Sequence, residues 1–437
     1  MKNELYNASA NEQARDNCAR NSIEDNYLNH RKNVSIGYSS DGLFFDKKRK
    51  IIVVNADFGM GGISKSAIEW LNLIDYSQFD ITLYIRRNDA VELLSFVSDK
   101  VNIITIDSKL KNGVFDDSFV GKTIKIACAL LKKIGSNYLA KQLYRWYMYP
   151  RQRKEEGAKL SGLVYDVAIA YSTADDIPIF VLNEIKADKK YLFIHQSTPF
   201  SKENQSSLPR FDSVVAVSDV LCDKLKKDFT GKKIKFVSLP NYVSHKNINE
   251  MAKKEAIGDN SDVIKFATCG RLVDVKGYDT LIEAACLLRD NGLRFKWNWI
   301  GDGACRQKME KLIKDNDLED YVFVLGEKIN PYPYIAACDI YVQPSRAEAY
   351  PLAILESITL GKVVVSTRTV GGCNILNKYN CGKLVDFSSK ELAETLLSFS
   401  LNKELLKREQ EKVKQIDWQK EEECYINNWH QLLCGEV

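Results

Sequence analysis

The sequence predicts an α/β protein built from two doubly wound units in series, and three observations carry that prediction. Short β-branched runs alternate with helix-period stretches along most of the chain. The alternation pauses in a polar stretch at 245–262 and then restarts. Glycines and charged residues gather directly after strands, at the carboxyl edge where open α/β sheets bind ligands. At 437 residues with 45% hydrophobic content, the chain exceeds one ordinary core and can fill two.

Composition excludes several classes. The apolar runs are strand-sized and no basic start precedes an apolar N-terminal segment, so neither a membrane span nor a secretory signal is expected, and the expected compartment is cytoplasmic. Eleven cysteines, an odd number without a CxxC pair or zinc-spaced Cys/His cluster, point to reduced, mostly buried thiols and to no metal site. A net charge of +4 is too small to imply nucleic-acid binding.

Residues 1–49 are polar and read as an extension without an assigned function. The first domain is expected over 50–245. It opens with the strand Ile51–Val54, then Gly59-Met60-Gly61-Gly62, then a helix through Ile68, Leu71 and Ile74. Gly61 and Gly62 let backbone amides approach a phosphate or an acceptor, and a helix N-terminus favours negative charge. A tight turn needed only for packing is the alternative. Lys65 does not stand at Walker spacing. Gly59-x-Gly61-x-x-Ser64 nearly matches a dinucleotide fingerprint, but the next strand, Ile81–Ile85, ends at Arg86-Arg87 and not at an acidic ribose ligand.

After the strand Val101–Thr105, residues 121–160 interleave ten basic residues with aromatic and aliphatic ones, against only Glu155 and Glu156. Such a stretch either lies on an anionic membrane surface or forms a solvated helical hairpin packed on its own domain. Strands follow at Asp166–Ala170, Lys190–Ile194 and Ser213–Val217, and His195 stands at the end of the second. Beyond Ile234–Ser238, the polar stretch 245–262 reads as a linker.

The second domain, expected over 246–415, opens with Val263–Thr268. Arg271 and Lys276 leave that strand end and flank a helix N-terminus, a cradle suited to a diphosphate. Next come the strand Phe295–Ile300, Gly301-Asp302-Gly303, and the strand Tyr321–Gly326. Asp315-Asn316-Asp317 ends an amphipathic helix and reads as a polar helix exit, not as a metal-binding DxD.

The stretch Gln343–Gly361 is a loop and helix between the strands Asp339–Val342 and Lys362–Val365. Pro351 suits a first helical turn and Gly361 the left-handed residue past a helix end. Glu348 is therefore in the loop and Glu356 within the helix, placed to hold different parts of one ligand. Gly371-Gly372 and Lys383–Val385 follow. The tail, 416–437, carries a helical stripe of Trp418, Tyr425, Ile426, Trp429 and Leu432.

Gly270-Arg271-Leu272, Lys276-Gly277, Gly301-Asp302-Gly303, Val324-Leu325-Gly326, Pro344-Ser345, Glu348-x7-Glu356, Gly361 and Gly371-Gly372 have the order and spacing of retaining GT-B glycosyltransferases of the family 4 type. The resemblance is close over 263–390 and looser before it, where Gly61-Gly62 and His195 match. It implies the GT-B fold, two Rossmann-like domains facing each other across a cleft, with the tail helix crossing back to the first. It implies transfer of a sugar from a nucleotide-diphosphate donor to an acceptor hydroxyl, with no cofactor and no catalytic metal. Arg271 and Lys276 would hold the diphosphate, Glu356 the ribose and Glu348 the hexose, with Ala349, Tyr350 and Gly301 also binding the donor. His195 would lie near the reacting sugar, and Gly61-Gly62 would leave room for acceptor or phosphate.

Ala349-Tyr350-Pro351 departs from the Gly-Phe-Gly of many relatives, which leaves sugar identity open. The basic segment fits members acting on polyprenyl-diphosphate-linked acceptors at the inner face of the plasma membrane. Two other readings stay open: a non-catalytic GT-B partner subunit, and an NADP-dependent oxidoreductase drawn from the near fingerprint with Arg86-Arg87.

Overall fold

Each apolar run expected to be a strand is one, and the strands lie in two parallel sheets. In the computed structural model of the chain, residues 48–87, 90–105, 118–174, 176–196, 202–254 and 263–436 are described. The polar extension expected over 1–49 falls almost wholly outside them.

The first sheet contains β1 (Arg49–Asn55), β2 (Phe79–Ile85), β3 (Asn102–Thr105), β4 (Val164–Ala170), β5 (Lys186–Ile194), β6 (Ser213–Ala216) and β7 (Phe236–Ser238), in the order β3-β2-β1-β4-β5-β6-β7. The second contains β8 (Ile264–Cys269), β9 (Phe295–Ile300), β10 (Val322–Val324), β11 (Ile340–Gln343), β12 (Val363–Thr367) and β13 (Lys383–Val385), in the order β10-β9-β8-β11-β12-β13. Helices cover both faces of a parallel sheet, so its central strands are apolar throughout instead of alternating. Ile51, Ile52, Val53 and Val54 of β1 are accordingly all buried, as are Ile340, Tyr341 and Val342 of β11.

Strand order fixes where a ligand can lie. In each sheet the order reverses beside the first strand of the domain, between β1 and β4 and between β8 and β11, and such a reversal opens a crevice at the carboxyl edge. The loops after β1, β5, β8, β9 and β11 leave from those edges. They carry Gly61-Gly62, His195, Arg271 with Lys276, Gly301, and Glu348 respectively.

Three features differ from the sequence expectation. The stretch read as a linker begins with a helix, His245–Ala252, capped by Ser244 Oγ and burying Ile248 and Met251. Its polar surface residues hide a two-residue apolar contact that composition averages away. The rest of that stretch, 255–262, lies outside the described residues. Arg86 is not free for a nucleotide phosphate: it is buried, with Nε 2.7 Å from Glu156 Oε2, a second ion pair to Asp176, and its guanidinium over the Phe180 ring. That removes the structural basis of the oxidoreductase reading. Arg153 joins the same network through Asp176 at 2.9 Å, so it anchors its helix and is not part of an outward basic face.

The basic segment is a helical hairpin, Phe119–Lys133 and Asn137–Lys159. Its inner end is fixed by the Arg86 network, while Phe119 is 87% exposed and Trp146 70%. The tail forms the helix Trp418–Cys434, which packs on the first domain. Trp429 stacks on Trp70 with ring centroids 4.0 Å apart and on Phe193 at 5.2 Å. Trp418, at the start of the helix, lies between His245 and Tyr379 and so touches the crossover and the second domain.

Candidate functional site

A cavity of about 330 Å³ lies between the two carboxyl edges. It gathers all ten residues expected at a site: Gly61, Gly62 and His195 from the first domain, and Arg271, Lys276, Gly301, Glu348, Ala349, Tyr350 and Glu356 from the second.

The first-domain wall begins at the helix Gly62–Leu73. Gly61 caps it in extended conformation with no side-chain cap, and no acid stands in the first turn. The first backbone N–H groups of that helix therefore have no side-chain acceptor, and the helix end presents partial positive charge to the cavity. A Cβ built on Gly61 meets nothing within 4 Å, and one on Gly62 only Leu352 Cδ1 at 4.0 Å. Protein packing does not demand these glycines, and open space lies beside them.

His195 follows β5 and packs, half-buried, against the Tyr171 and Phe193 rings. Burial lowers its pKa to about 4, while a hydrogen bond to the Tyr171 backbone opposes the shift. Nε2 is buried with no partner among the described residues. The imidazole is therefore neutral at pH 7, Nδ1 makes the backbone bond, and Nε2 is left as an acceptor for a ligand hydroxyl.

The second-domain wall holds two carboxylates built alike. Glu348 Oε1 accepts from Lys276 Nζ at 2.6 Å, Ser345 Oγ at 2.7 Å and Gln343 Nε2 at 2.9 Å. Glu356 Oε1 accepts from Lys65 Nζ at 2.9 Å and from the Tyr332 hydroxyl at 3.2 Å. In both, the hydrogen bonds among the described residues go to Oε1, and Oε2 keeps its capacity to accept. A partly buried carboxylate needs such counter-charge, and each has one lysine. Arg271 is exposed at the wall and, among the described residues, its side chain has no ion-pair or hydrogen-bond partner.

Gly301 serves packing as well as the cavity. Its φ is +144°, and a Cβ there would fall 2.1 Å from the Gly270 carbonyl oxygen. No side chain fits where the loops after β8 and β9 cross, and that crossing sets the position of Arg271. Ala349 and Tyr350 are buried, and a Cβ on Gly371 would lie 2.5 Å from Pro351 Cδ, so that glycine lets the 349–351 loop settle on the helix Val370–Lys378.

Sequence reasoning missed Lys65, Gln343 and Ser345. Lys65 was set aside because it fails Walker spacing, yet it stands in the first turn of the helix that Gly61 opens. Its signal was that position, since a cation at a helix N-terminus is locally unfavourable. Gln343 and Ser345 border Glu348 within five residues and read as loop polarity.

Residues 247–416 match the model of the glycosyl transferases group 1 family. Over a longer stretch the chain is similar to an uncharacterized glycosyltransferase, MJ1178, of Methanocaldococcus jannaschii, with 28% identity over 218 residues, 48% of this chain and 56% of the relative. It is also similar to the N-acetylgalactosamine-N,N'-diacetylbacillosaminyl-diphospho-undecaprenol 4-alpha-N-acetylgalactosaminyltransferase of Campylobacter jejuni, with 27% identity over 38% of this chain and 44% of the relative. The matched stretches thus span about half the length of these relatives. Among solved structures, Anabaena HepE in complex with UDP and glucose superposes with a TM-score of 0.65 over 89% of this chain and all of that chain, at 16% identity. The fold is accordingly GT-B, as the sequence motifs implied, and the family match covers every second-domain cavity residue named above.

Proposed function

We propose that the chain is a retaining glycosyltransferase. It moves a hexose or N-acetylhexosamine from a UDP- or GDP-sugar to a hydroxyl of a polyprenyl-diphosphate-linked saccharide, in the assembly of a surface polysaccharide or glycoconjugate. The observation that carries this reading is the pairing, in one interdomain cavity, of an unpartnered arginine and a lysine with two carboxylates that each keep an oxygen for a ligand.

In the proposed reaction the bond between the anomeric carbon and the diphosphate oxygen breaks, and its electron pair leaves with the diphosphate. Arg271 and Lys276 stabilise that developing charge, as fixed cations in a partly dry cleft do. The helix end at Gly61-Gly62 adds partial positive charge from the opposite wall. Glu348 Oε2 and His195 Nε2 accept from sugar hydroxyls and hold the ring, while Glu356 Oε2 accepts from the ribose. The acceptor oxygen bonds to the anomeric carbon on the face the diphosphate leaves, and its proton passes to a departing phosphate oxygen. The cations stand where a divalent metal would otherwise act, so chelation with EDTA leaves the rate unchanged.

Two comparisons support the substrate classes: HepE was solved with UDP and glucose, and the Campylobacter relative is named for a diphospho-undecaprenol-linked substrate. The hairpin 119–159 supports a lipid-borne acceptor. Phe119, Ile126, Leu130 and Ile134 recur along one exposed face of its first helix, and Tyr138, Leu139 and Trp146 are exposed on the second. Residues 121–160 hold ten basic and two acidic residues in a chain whose net charge is only +4. Among the described residues no helix is long and apolar enough to cross a membrane. An anionic bilayer surface, which attracts the cations and receives the rings, is the occupant this face fits.

A thermal-shift screen against UDP- and GDP-sugars tests the reading. The bound donor at a hundred times its dissociation constant stabilises the fold by about 2.7 kcal/mol. Stabilisation by none of them contradicts the assignment.

A further inference from the structure

Lys65 spans the cleft. It belongs to the first-domain helix Gly62–Leu73, yet its ammonium lies 2.9 Å from Glu356 Oε1 on the second-domain helix Leu352–Thr359. The Glu356 side chain is only 3% exposed and that of Lys65 26%. The Lys65 ammonium also sits 5.5 Å from the centroid of the Tyr332 ring, whose hydroxyl donates to the same Glu356 oxygen. A lysine in the first turn of a helix works against the helix dipole, so its own element does not favour it there. What favours it is a carboxylate on the opposite domain.

The surroundings leave that pairing intact. Glu69, one turn further along the same helix, lines the smaller cavity behind with Lys65, Tyr332 and Glu356. Burial raises its pKa to about 8, so it is mostly protonated at neutral pH and competes little for the lysine. Both hydrogen bonds on Glu356 among the described residues go to Oε1, and the residue lines the main cavity as well as the smaller one.

We infer that Lys65 is a positioning residue for the donor nucleotide: it reaches across from the first domain and holds Glu356 in the orientation that receives the ribose hydroxyls. The donor subsite is then complete only when the two domains meet. The inference rests on the proposed function, because it takes the cavity ligand to be a nucleoside diphosphate.

Calorimetry on the full chain separates the two. Wild type is titrated with UDP, GDP and their 2′,3′-dideoxy analogues, and the measurements are repeated on Lys65→Met, Glu356→Gln and the double variant. Failure of wild type to bind either UDP or GDP overturns the proposed function itself. If wild type binds, Lys65→Met should weaken the ribonucleotide about tenfold, which is about 1.4 kcal/mol, and leave the dideoxy analogue unchanged. The double variant should bind no more weakly than Glu356→Gln, since the lysine acts through that carboxylate. An equal loss for both nucleotides, or additive losses in the double variant, overturns the inference while the function stands. Lys65→Arg, which keeps the charge, should retain ribonucleotide binding; a loss as large as that of Lys65→Met overturns it as well.

Discussion

The two domains place their cavity residues in different ways. In the second, Arg271, Gly301 and Glu348 each stand within a few residues of the strand that aims them, and the contacts that hold Glu348 come from Gln343, Ser345 and Lys276 of the same domain. In the first, the wall is assembled from distant parts: an uncapped helix end, a histidine whose ring rests on Tyr171, and a lysine whose partner is 291 residues away. Even the core of the first domain borrows Trp429 from the end of the chain. Apart from Glu356, which Lys65 meets from the first domain, the second domain holds its cavity residues locally; the first works only in combination.

The largest expected effect tests that borrowing. Trp429→Ala removes a buried ring stacked on Trp70 and Phe193 and should destabilise the chain by about 3–5 kcal/mol in denaturant unfolding. A loss below about 1 kcal/mol would mean the tail helix is an appendage and not part of the first-domain core. Next, Lys276→Ala should lower transfer about a hundredfold, because it removes the cation that the proposed reaction sets against the leaving group and leaves Glu348 without its counter-charge. His195→Ala should lower transfer without changing affinity for the free nucleoside diphosphate, since in the proposed reaction the imidazole contacts the sugar and not the nucleotide. Equal effects of the two variants on nucleotide affinity would erase the distinction between the walls.

These contrasts also explain what the sequence made legible. Twelve of the thirteen strands were readable, the central ones because parallel strands covered on both faces are continuous apolar runs. The cavity residues of the second domain were readable because a strand end followed by glycine and charge is a local pattern. The helix His245–Ala252 was not, since two buried residues among polar ones look like a linker. Lys65 was not, because nothing near it in sequence identifies Glu356 as its partner. The hairpin 119–159 was legible as basic and aromatic, but that Arg153 turns inward was decided by Asp176, which captures it from outside the hairpin.

Two smaller effects sharpen the comparison. Glu69 has a folded pKa of about 8 against an ordinary 4.5, raised by burial. Its contribution to stability is thus complete below pH 4.5 and is lost as pH rises through 8. Glu69→Gln, still able to accept from the Ser244 amide, should therefore gain on wild type by up to about 1.4 kcal/mol per pH unit across that window. A difference that does not vary with pH would place the carboxyl in water. Neutralising Lys125, Lys132, Lys133 and Arg145 on the hairpin should weaken binding to anionic vesicles most at low salt. Arg153→Gln should lower the melting temperature instead, because its partner is the buried Asp176. Vesicle binding that ignores both salt and these charges would return the hairpin to a solvated element.

The most direct test of the central claim follows the anomeric carbon itself. The purified chain is incubated with the nucleotide sugar that stabilises it most, and the configuration of the first sugar product, transferred or released to water, is read by NMR before mutarotation. Donor cleavage with an α-configured product from an α-linked donor, lost in Arg271→Ala, is the predicted result. A β-configured product, or cleavage undiminished in Arg271→Ala, would contradict it.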